Sequence, residues 1–534
     1  MISARIALFN VHSPINYPLH NPPLQIFPPP IFRYAPAKPF RGRLRGIQIA
    51  FCTENQFDSP CEDDSPLRKI AAPKCGNSAS AATWVGVATL TSKILGLLRE
   101  VTMASVFGVG PVVSAFKYAW VLPGFSSSLL GGVNGPIHII MATTLSKLPK
   151  ERGKKLFLHL TTILFLIGGV AGALVYIFPE LILRIYAPGL WILVEGKIIR
   201  EMAMDQLKIM APCIVLAGPV GLGFGYMSAE GNNALPSISP AFSSSLLIVG
   251  CLIHIFSRRL NAPSTGGKIL AVAVSLGLFL QWIIQVILLR TEWSSIFPDS
   301  FSNVVKSGEV REFFSLLLPA TVSSGLAQIA SFTDLCFASL IPGAAAGLSY
   351  AYLMVMAPLG ALSSIIVLPL VATFSKQVKT SSWDRLVDNL ERALLLSMVL
   401  LLPIFSVMRV LAEPIIHVLF QRFAFDSSAS ALVSDLFLAY SLGAPFFITK
   451  DLLVAAFYAL GDGKGPFLVS AGAVALNALL DWLSVSRFNL GAKGLALSTS
   501  FTAAASTFIL FHLLKRKLPG IANYADIFYP TTLL

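Results

Sequence analysis

Two related hexapeptides lie 230 residues apart in this chain of 534 residues. Residues 231–236 read Gly-Asn-Asn-Ala-Leu-Pro, and residues 461–466 read Gly-Asp-Gly-Lys-Gly-Pro. A second pair of matches precedes them in the same order, with Thr-Leu-Ser-Lys at 144–147 and Thr-Phe-Ser-Lys at 373–376, an offset of 229. Weak internal matches that keep nearly one offset predict a duplicated structural unit.

The segments around these matches are apolar and long enough to cross a membrane, which takes about 20 mostly apolar residues in a helix. Six segments per copy is an even number, so both copies have the same orientation and are related by an axis along the membrane normal. Proline inside several segments, such as Pro445, predicts bent helices that line a cavity. The predicted fold is all-α and integral to the membrane, with about twelve spans at 82–107, 111–145, 156–178, 203–228, 237–257, 269–290, 312–341, 344–375, 388–410, 431–460, 465–485 and 492–514.

The composition agrees with a membrane protein. Hydrophobic residue types make up 55% of the chain, charged types make up 13%, and the mean hydropathy is +0.72. A soluble chain of this length is about one quarter charged. This difference excludes a soluble enzyme, a nucleic-acid-binding protein and a disordered scaffold as descriptions of the whole chain.

Basic residues cluster in loops on one side of the predicted bundle. Because such loops face the cytosol or its organellar equivalent, both termini are predicted on that side. The net charge of +13 therefore has an explanation that needs no nucleic acid. The basic loop residues are Lys147, Lys150, Arg152, Lys154, Lys155, Lys376, Lys379, Arg385, Arg392, Lys515, Arg516 and Lys517.

Catalytic and metal-binding motifs are not found. The six cysteines lack metal-ligand spacing, and there is no paired-acid, zinc-protease, nucleophile-elbow or Walker motif. The prediction is a transporter and not an enzyme, with no cofactor and no metal. The driving energy would come from an ion gradient, the membrane potential or the gradient of the cargo itself.

Residues 1–79 differ from the rest of the chain. The first 50 residues hold six basic residues and no acidic one, and they are rich in proline. This composition is typical of an organellar transit peptide, and the alternative is a disordered tail on the inner side of the membrane. The predicted location is a plastid envelope, with the mitochondrial inner membrane as the alternative. The predicted repeats are 80–300 and 301–515, followed by a short tail at 516–534.

Charged residues inside spans are costly and mark candidate functional positions. The first span contains Lys93, Arg99 and Glu100, and the second contains Lys117. Lys93, Arg99 and Lys117 are predicted to attract an anionic substrate group, since cations in a cavity suit phosphate. Arg99 and Glu100 are adjacent, so we expect them not to pair face to face on one helix.

Three further charges lie in the second half of the chain. Asp334 is in the seventh span, and Lys450 and Asp451 are in the tenth. An acid in a span suits coupling to a cation or proton, or pairing with a basic residue of the other half. Asp334, Lys450, Asp451 and Glu100 are therefore predicted to act in coupling or gating. A purely structural polar kink is the alternative for the Lys450–Asp451 pair.

At this point residues 80–515 resemble the MurJ (MviN) family of the multidrug, oligosaccharidyl-lipid and polysaccharide exporter superfamily, and we expect an organellar plant member. The resemblance rests on an ordered series that includes 92–100 (Ser-Lys-Ile-Leu-Gly-Leu-Leu-Arg-Glu), 106–110, 115–116, 122–123, 328–329, Asp334, 338–339, 350–351, 368–369, 419–421, 440–443, Lys450 and 457–458. It implies a MATE/MurJ-like fold and a flippase of lipid II, which moves a diphosphate-linked saccharide lipid by alternating access.

Several positions depart from the family pattern. Lys93 stands where the family has a cavity arginine, Ser114 replaces an acid, and 122–128 lacks the family's arginine pair and glutamate. The predicted function is a MurJ-like flippase or exporter of a lipid-linked or other amphiphilic anion. A degenerate, non-transporting membrane scaffold or lipid-binding protein is the alternative. A closed, apolar space between the halves would favour the scaffold, and an open cavity lined by Arg99 and Lys93 would favour transport.

Overall fold

The computed structural model describes residues 78–133, 135–194, 196–256, 263–290, 308–379, 383–518 and 520–521. Throughout these ranges the regular structure is helical. The predicted extension 1–79 lies outside them except for its last two residues, which begin the first helix.

Within the described ranges, the first half of the chain contains eight helices. Most of these helices are long, and their sequences are mainly apolar with few charged residues. A short 3-10 turn at Pro188–Trp191 follows the fifth. The helices are α1 Ser78–Phe107, α2 Pro111–Leu129, α3 Pro136–Leu145, α4 Lys150–Ile177, α5 Pro179–Tyr186, α6 Gly196–Ala229, α7 Ala234–Phe256 and α8 Pro263–Leu288.

The second half repeats this order. Its helices are α9 Gly308–Ala338, α10 Ala344–Lys379, α11 Trp383–Val410, α12 Ala412–Phe420, α13 Ser427–Ser441, α14 Ala444–Ala459, α15 Lys464–Ser486 and α16 Gly491–Lys517. Both α4 and α11 contain 28 residues, and both α7 and α15 contain 23. The loops that hold the two hexapeptides turn at Gly231 and Gly461, whose φ angles are +86° and +74°. Glycine adopts this left-handed conformation without a steric cost. The structure therefore confirms the two-fold repeat.

Every predicted span coincides with a helix or with a broken pair of helices. Within the described ranges, nine helices are long and apolar enough to cross a membrane, and α13 with α14 makes a tenth span bent by 44°. The bend lies beside Pro445 in the first turn of α14, as the proline pattern predicts. The other two predicted spans are α1 and the pair α2–α3, which contain Lys93, Arg99, Glu100 and Lys117.

Helix α6 forms the centre of the first half. It packs against α2, α3, α4 and α8, and 78% of its apolar window is buried. Close approach requires glycine here, since a Cβ on Gly221 would lie 1.7 Å from the carbonyl oxygen of Leu130. The first half is therefore a tightly packed body around α6.

Two short helices, α5 and α12, were not predicted. Each follows a long helix of its half after a break of one residue and has one apolar face buried and another exposed. On α5, Leu183 is buried while Ile185 is 73% exposed; on α12, Phe420 is buried while Val418 is 67% exposed. The buried face of α12 also contacts α10, which helps to position the site below.

Candidate functional site

A cavity of about 480 Å³ lies between the two halves. Helix α2 supplies one wall, and α9, α10 and α13–α16 of the second half supply the rest. This volume falls in the range of small-molecule sites, about 300–1,000 Å³. Its lining is partly aromatic, with Trp120, Phe125, Phe332, Tyr352, Tyr440 and Phe447.

The cavity wall also carries charge. Lys117, Asp334 and Lys450 line it, together with hydroxyl side chains of α16. The lining is therefore not the purely apolar surface that would favour a scaffold. Among the described residues, neither Arg99 nor Lys93 belongs to this lining. The cavity is therefore polar, as expected for transport, but it is not lined by the two basic residues that the sequence predicts.

Glu100 holds two cations at the edge of the cavity. Its Oε1 accepts a hydrogen bond from Arg99 Nη2 at 2.7 Å, and its Oε2 accepts one from Lys117 Nζ at 3.0 Å. The expectation that Arg99 and Glu100 would not pair is wrong, because the long arginine side chain folds back along the helix. Glu100 is 6% exposed, so this carboxylate is compensated within the protein.

Lys117 connects the halves. Its Nζ lies 5.7 Å from the ring centre of Tyr350 on α10, in cation–π geometry. Tyr350 is fully buried and packs against Phe420 and Phe425, with ring centres 5.5 and 6.0 Å away. The ion cluster of Arg99, Glu100 and Lys117 in the first half therefore contacts the aromatic cluster of Tyr350, Phe420 and Phe425 in the second.

Asp334 belongs to a polar cluster on three helices. Its Oδ1 accepts a hydrogen bond from Asn477 Nδ2 on α15, and its Oδ2 accepts one from Thr499 on α16 at 3.3 Å. The same Asn477 nitrogen donates to Asp481 Oδ2 at 3.1 Å. Two carboxylates thus lie within hydrogen-bond reach of one nitrogen, an arrangement in which like charges repel unless a proton or cation is shared.

Two oxygen atoms of this cluster have no donor. Asn477 Oδ1 and Asp481 Oδ1 are buried without a hydrogen-bond partner. Buried acceptors are normally satisfied, so these two oxygens are exceptions within the described residues. Within the described ranges no three His, Cys, Asp or Glu side chains come together as a metal site. The cluster therefore holds two carboxylates joined through the amide nitrogen of Asn477, with the Thr499 hydroxyl as a further donor to Asp334.

The remaining predicted residues take separate positions. Lys450 lies on α14 in the cavity wall, while Asp451 points to α10, where its Oδ2 accepts a hydrogen bond from Ser363 Oγ at 3.5 Å. Lys93 lies on an exposed part of α1. The structure therefore brings Lys117, Glu100 and Arg99 together, and it separates them from Asp334.

The bundle is closed at the end where α1 terminates, which we call the far end. There Ala424 N donates to Ser105 O at 3.0 Å, and Gly189 N donates to Ser339 Oγ at 2.9 Å. Both hydrogen bonds join the first half to the second. The first joins two backbone groups, and the second is accepted by the hydroxyl side chain of Ser339.

An all-helical membrane protein with two like-oriented halves and a polar cavity between them belongs to the class of membrane transporters. Residues 103–529 match the family described as "Lipid II flippase MurJ". A protein of Synechocystis sp. described as "Probable lipid II flippase MurJ" is 37% identical over 83% of this chain and 83% of its own length. A Rickettsia prowazekii protein of the same description is 27% identical over 78% of this chain and 79% of its own. This chain belongs to the MurJ flippase family.

Solved structures agree on the fold. A structure titled "Lipid II flippase MurJ, inward closed conformation" matches with a TM-score of 0.68 and 22% identity, covering 81% of this chain and 87% of the other. An inward-facing multidrug-resistance MATE transporter matches with a TM-score of 0.63 and 13% identity, covering 82% and 98%. The predicted MATE/MurJ-like fold is confirmed, and the chain is an integral membrane transporter and not an enzyme.

Proposed function

We propose that this protein moves a lipid-linked, anionic substrate across a membrane by alternating access. The polar cavity between two halves that meet at the far end is the observation that carries the proposal. Relatives described as lipid II flippases support a substrate with a lipid tail and a saccharide head. Binding of the head group between the halves lets the same site face either side of the membrane in turn.

The substrate-binding role falls on the basic residues of α1 and α2. Lys117 lines the cavity, and an incoming anion competes with Glu100 for it. The side chain of Arg99 is 33% exposed, and its Nε is buried without a hydrogen-bond partner, so it retains donor capacity. Lys93, on the exposed part of the same helix, attracts the anion at the start of its path.

Coupling falls on Asp334 and its neighbours. A monovalent cation or proton shared by Asp334 and Asp481 would remove the repulsion between the two carboxylates. This cluster joins α9, α15 and α16, so its occupancy changes how these three helices pack. Glu100 acts as a gate because it holds Lys117, and Asp451 ties α14 to α10 through Ser363.

The composition of residues 1–79 is the basis for the proposed cellular compartment. The acid-free, basic start of residues 1–79 supports a transit peptide, a plastid envelope and an organellar plant protein, with the mitochondrial inner membrane as the alternative. A fluorescent fusion of residues 1–79 tests this. Plastid fluorescence supports the proposal, and cytosolic fluorescence contradicts it.

Transport itself is tested in liposomes that contain the purified chain. A fluorescent prenyl lipid with a phosphate-linked saccharide head is loaded, and a membrane-impermeant quencher reports the fraction in the outer leaflet. We expect protein-dependent transfer that a cation gradient accelerates. The Asp334→Asn variant should lose the acceleration, and the matched control Asp435→Asn, at an exposed acid, should keep it. Transfer no faster than in empty liposomes would refute the proposal.

A further inference from the structure

The two hydrogen bonds that join the halves at the far end are related by the repeat. Gly189 N, beyond the short helix α5 of the first half, donates to Ser339 Oγ at the end of α9. Ala424 N, beyond the short helix α12 of the second half, donates to Ser105 O at the end of α1. The two donors are 235 residues apart and the two acceptors are 234 apart. Each half therefore reaches across to the equivalent helix end of the other half.

The contact between Gly189 and Ser339, which we call the buried latch, is enclosed by protein. Ser339 is 1% exposed, and Gly189 is buried. Ser339 Oγ also donates to Cys336 O at 2.6 Å, so the hydroxyl is held in the orientation in which it accepts from Gly189. A hydrogen bond that is shielded from water in this way is lost only when the packing around it opens.

The contact between Ala424 and Ser105, which we call the exposed latch, lies at the surface. Ala424 is exposed, and Phe423 before it is 91% exposed. Ser105 Oγ donates back to Val101 O within α1, and the backbone carbonyl of Ser105 is the group that accepts from Ala424. Carbonyls in the last turn of a helix have no partner within it, and water can satisfy them. The exposed latch is therefore the easier of the two to break.

The exposed latch also contains a strained backbone conformation. Phe423 has a φ angle of +53°, and Asn489 is the one other non-glycine residue with a positive φ angle in the described ranges. Asparagine tolerates the left-handed region, whereas a phenylalanine there pays a steric cost. Burial does not offset this cost, since the Phe423 side chain lies at the surface.

The turn around Phe423 shows what the strained conformation achieves. Phe425 N donates to Arg422 O at 3.1 Å, which makes Phe423 the first central residue of a turn. A turn with a positive φ angle at this position normally has glycine there. The turn directs Ala424 N to the end of α1, and it places the buried ring of Phe425 against Tyr350. It therefore serves both the contact between the halves and the aromatic cluster beside the cavity.

We propose that the far end is closed by two latches related by the repeat, and that the exposed latch, which is strained at Phe423, releases before the buried latch. Parting of the halves frees Ala424 from Ser105 and lets Phe423 return to an ordinary backbone conformation. The strain lowers the cost of opening at this latch, and the buried latch opens only afterwards. This inference goes beyond the proposed transport function, which does not specify how the far end opens, and it does not depend on the cargo.

Hydrogen exchange measures each latch directly in the purified full chain in lipid nanodiscs. Protection factors of the Ala424 and Gly189 amides, corrected for intrinsic exchange rates, are determined by fragmentation mass spectrometry. In wild type the Ala424 amide should be about tenfold or more less protected than the Gly189 amide, because it opens first.

The strain is tested with two variants at one position. Phe423→Ala removes the ring and keeps the strain, whereas Phe423→Gly removes both, because glycine adopts a positive φ angle freely. Relative to Phe423→Ala, Phe423→Gly should raise the protection of Ala424 by about three- to tenfold. The protection of Gly189 should rise by a similar factor, because the buried latch opens only after the exposed one. Asn489→Gly, at the other positive φ angle, is the matched control and should change neither amide.

The order of release is tested at the buried latch. Ser339→Ala removes the hydroxyl that accepts from Gly189 and should lower the protection of Gly189 by about two- to tenfold, in proportion to a neutral hydrogen bond. The protection of Ala424 should stay within about twofold of wild type, since the exposed latch releases before the buried latch is involved.

The outcomes separate this inference from the transport proposal. Protection of Ala424 equal to or greater than that of Gly189 in wild type overturns the order of release. A rise at Ala424 alone in Phe423→Gly also overturns the inference, because the strain then belongs to the turn of the second half and not to the closure of the far end. A rise at both amides, with none in Asn489→Gly, supports it. Lipid transfer in liposomes is measured independently, so either contrary result leaves the transport proposal standing.

Discussion

Replacing Glu100 with glutamine tests the ion cluster between α1 and α2. The substitution preserves the shape of the side chain and removes its charge. Glu100 bonds Lys117 at 3.0 Å and Arg99 at 2.7 Å, and its own side chain is 8% exposed. The change therefore leaves two cations without the carboxylate that compensates them.

The two cations contribute unequally. The Lys117 side chain is 14% exposed, so loss of its partner leaves a buried charge, which costs about 3–5 kcal/mol. The Arg99 side chain is 33% exposed, so its pairing contributes at most about 1 kcal/mol. Removing Lys117 as well, with Lys117→Met, eliminates the buried charge. The double variant should recover about 2–3 kcal/mol of the loss.

The free energy of unfolding is measured by denaturing-detergent titration of the protein in mild micelles, followed by the fluorescence of its seven tryptophans. Glu413→Gln, at an exposed glutamate on α12, is the matched control and should unfold like wild type. The reasoning is refuted if Glu100→Gln lies within about 0.5 kcal/mol of wild type, the usual range for surface substitutions. Strictly additive effects of Glu100→Gln and Lys117→Met would also contradict the pairing.

Two more predictions concern the ends of the bundle. Gly189→Val should open the far end, because a Cβ at this position would lie 2.2 Å from the carbonyl oxygen of Ser339. The labelling rate of a cysteine introduced into the far-end loops should therefore rise. The control Gly472→Val, where nothing lies within 4 Å of an added Cβ, should leave that rate unchanged. The hydrogen bond from Lys517 lowers the pKa of Asp462, so its stabilisation is complete above the unfolded value of about 3.9 and is lost as pH falls through the folded value. Unfolding measured between pH 2 and 6 should show a larger loss of stability in wild type than in Asp462→Asn, since other carboxylates titrate in both.

The long helices and the repeat could be predicted because their signals are local. Hydropathy marks each span, and the paired turns at Gly231 and Gly461 keep a conformation that only glycine adopts freely. The short helices α5 and α12 could not, because each has only eight or nine residues, includes charged residues, and begins just beyond the end of a predicted span. Pro179 at the start of α5 is the one local sign of a new helix.

The residues of the site also fall into those that a local sequence signal predicts and those that only the packing brings together. Lys117, Asp334 and Lys450 could be found because each is an isolated charge in an apolar segment. Asp481 carries the same signal and, with Asn477 one turn earlier, faces Asp334, yet neither is in the predicted set. Their proximity depends on the packing of α9 against α15, which no local pattern encodes. The pairing of Arg99 with Glu100 likewise depends on side-chain reach, since the helical angle between adjacent residues argues against it.

The two halves share the same order of helices but differ in the polar side chains that they place in the cavity. In the first half α6 is buried along most of its length. In the second half the equivalent segment breaks into α13 and α14, which places Lys450 on the cavity wall beside the hydroxyl face of α16. Lys450, the hydroxyl side chains of α16 and the Asp334 cluster therefore lie on the same half, and α2 of the other half contributes Lys117 and two aromatic rings. Any motion that separates the halves would take the Lys117–Glu100 pair away from the ring of Tyr350 and leave the hydrogen bonds of the Asp334 cluster within one half.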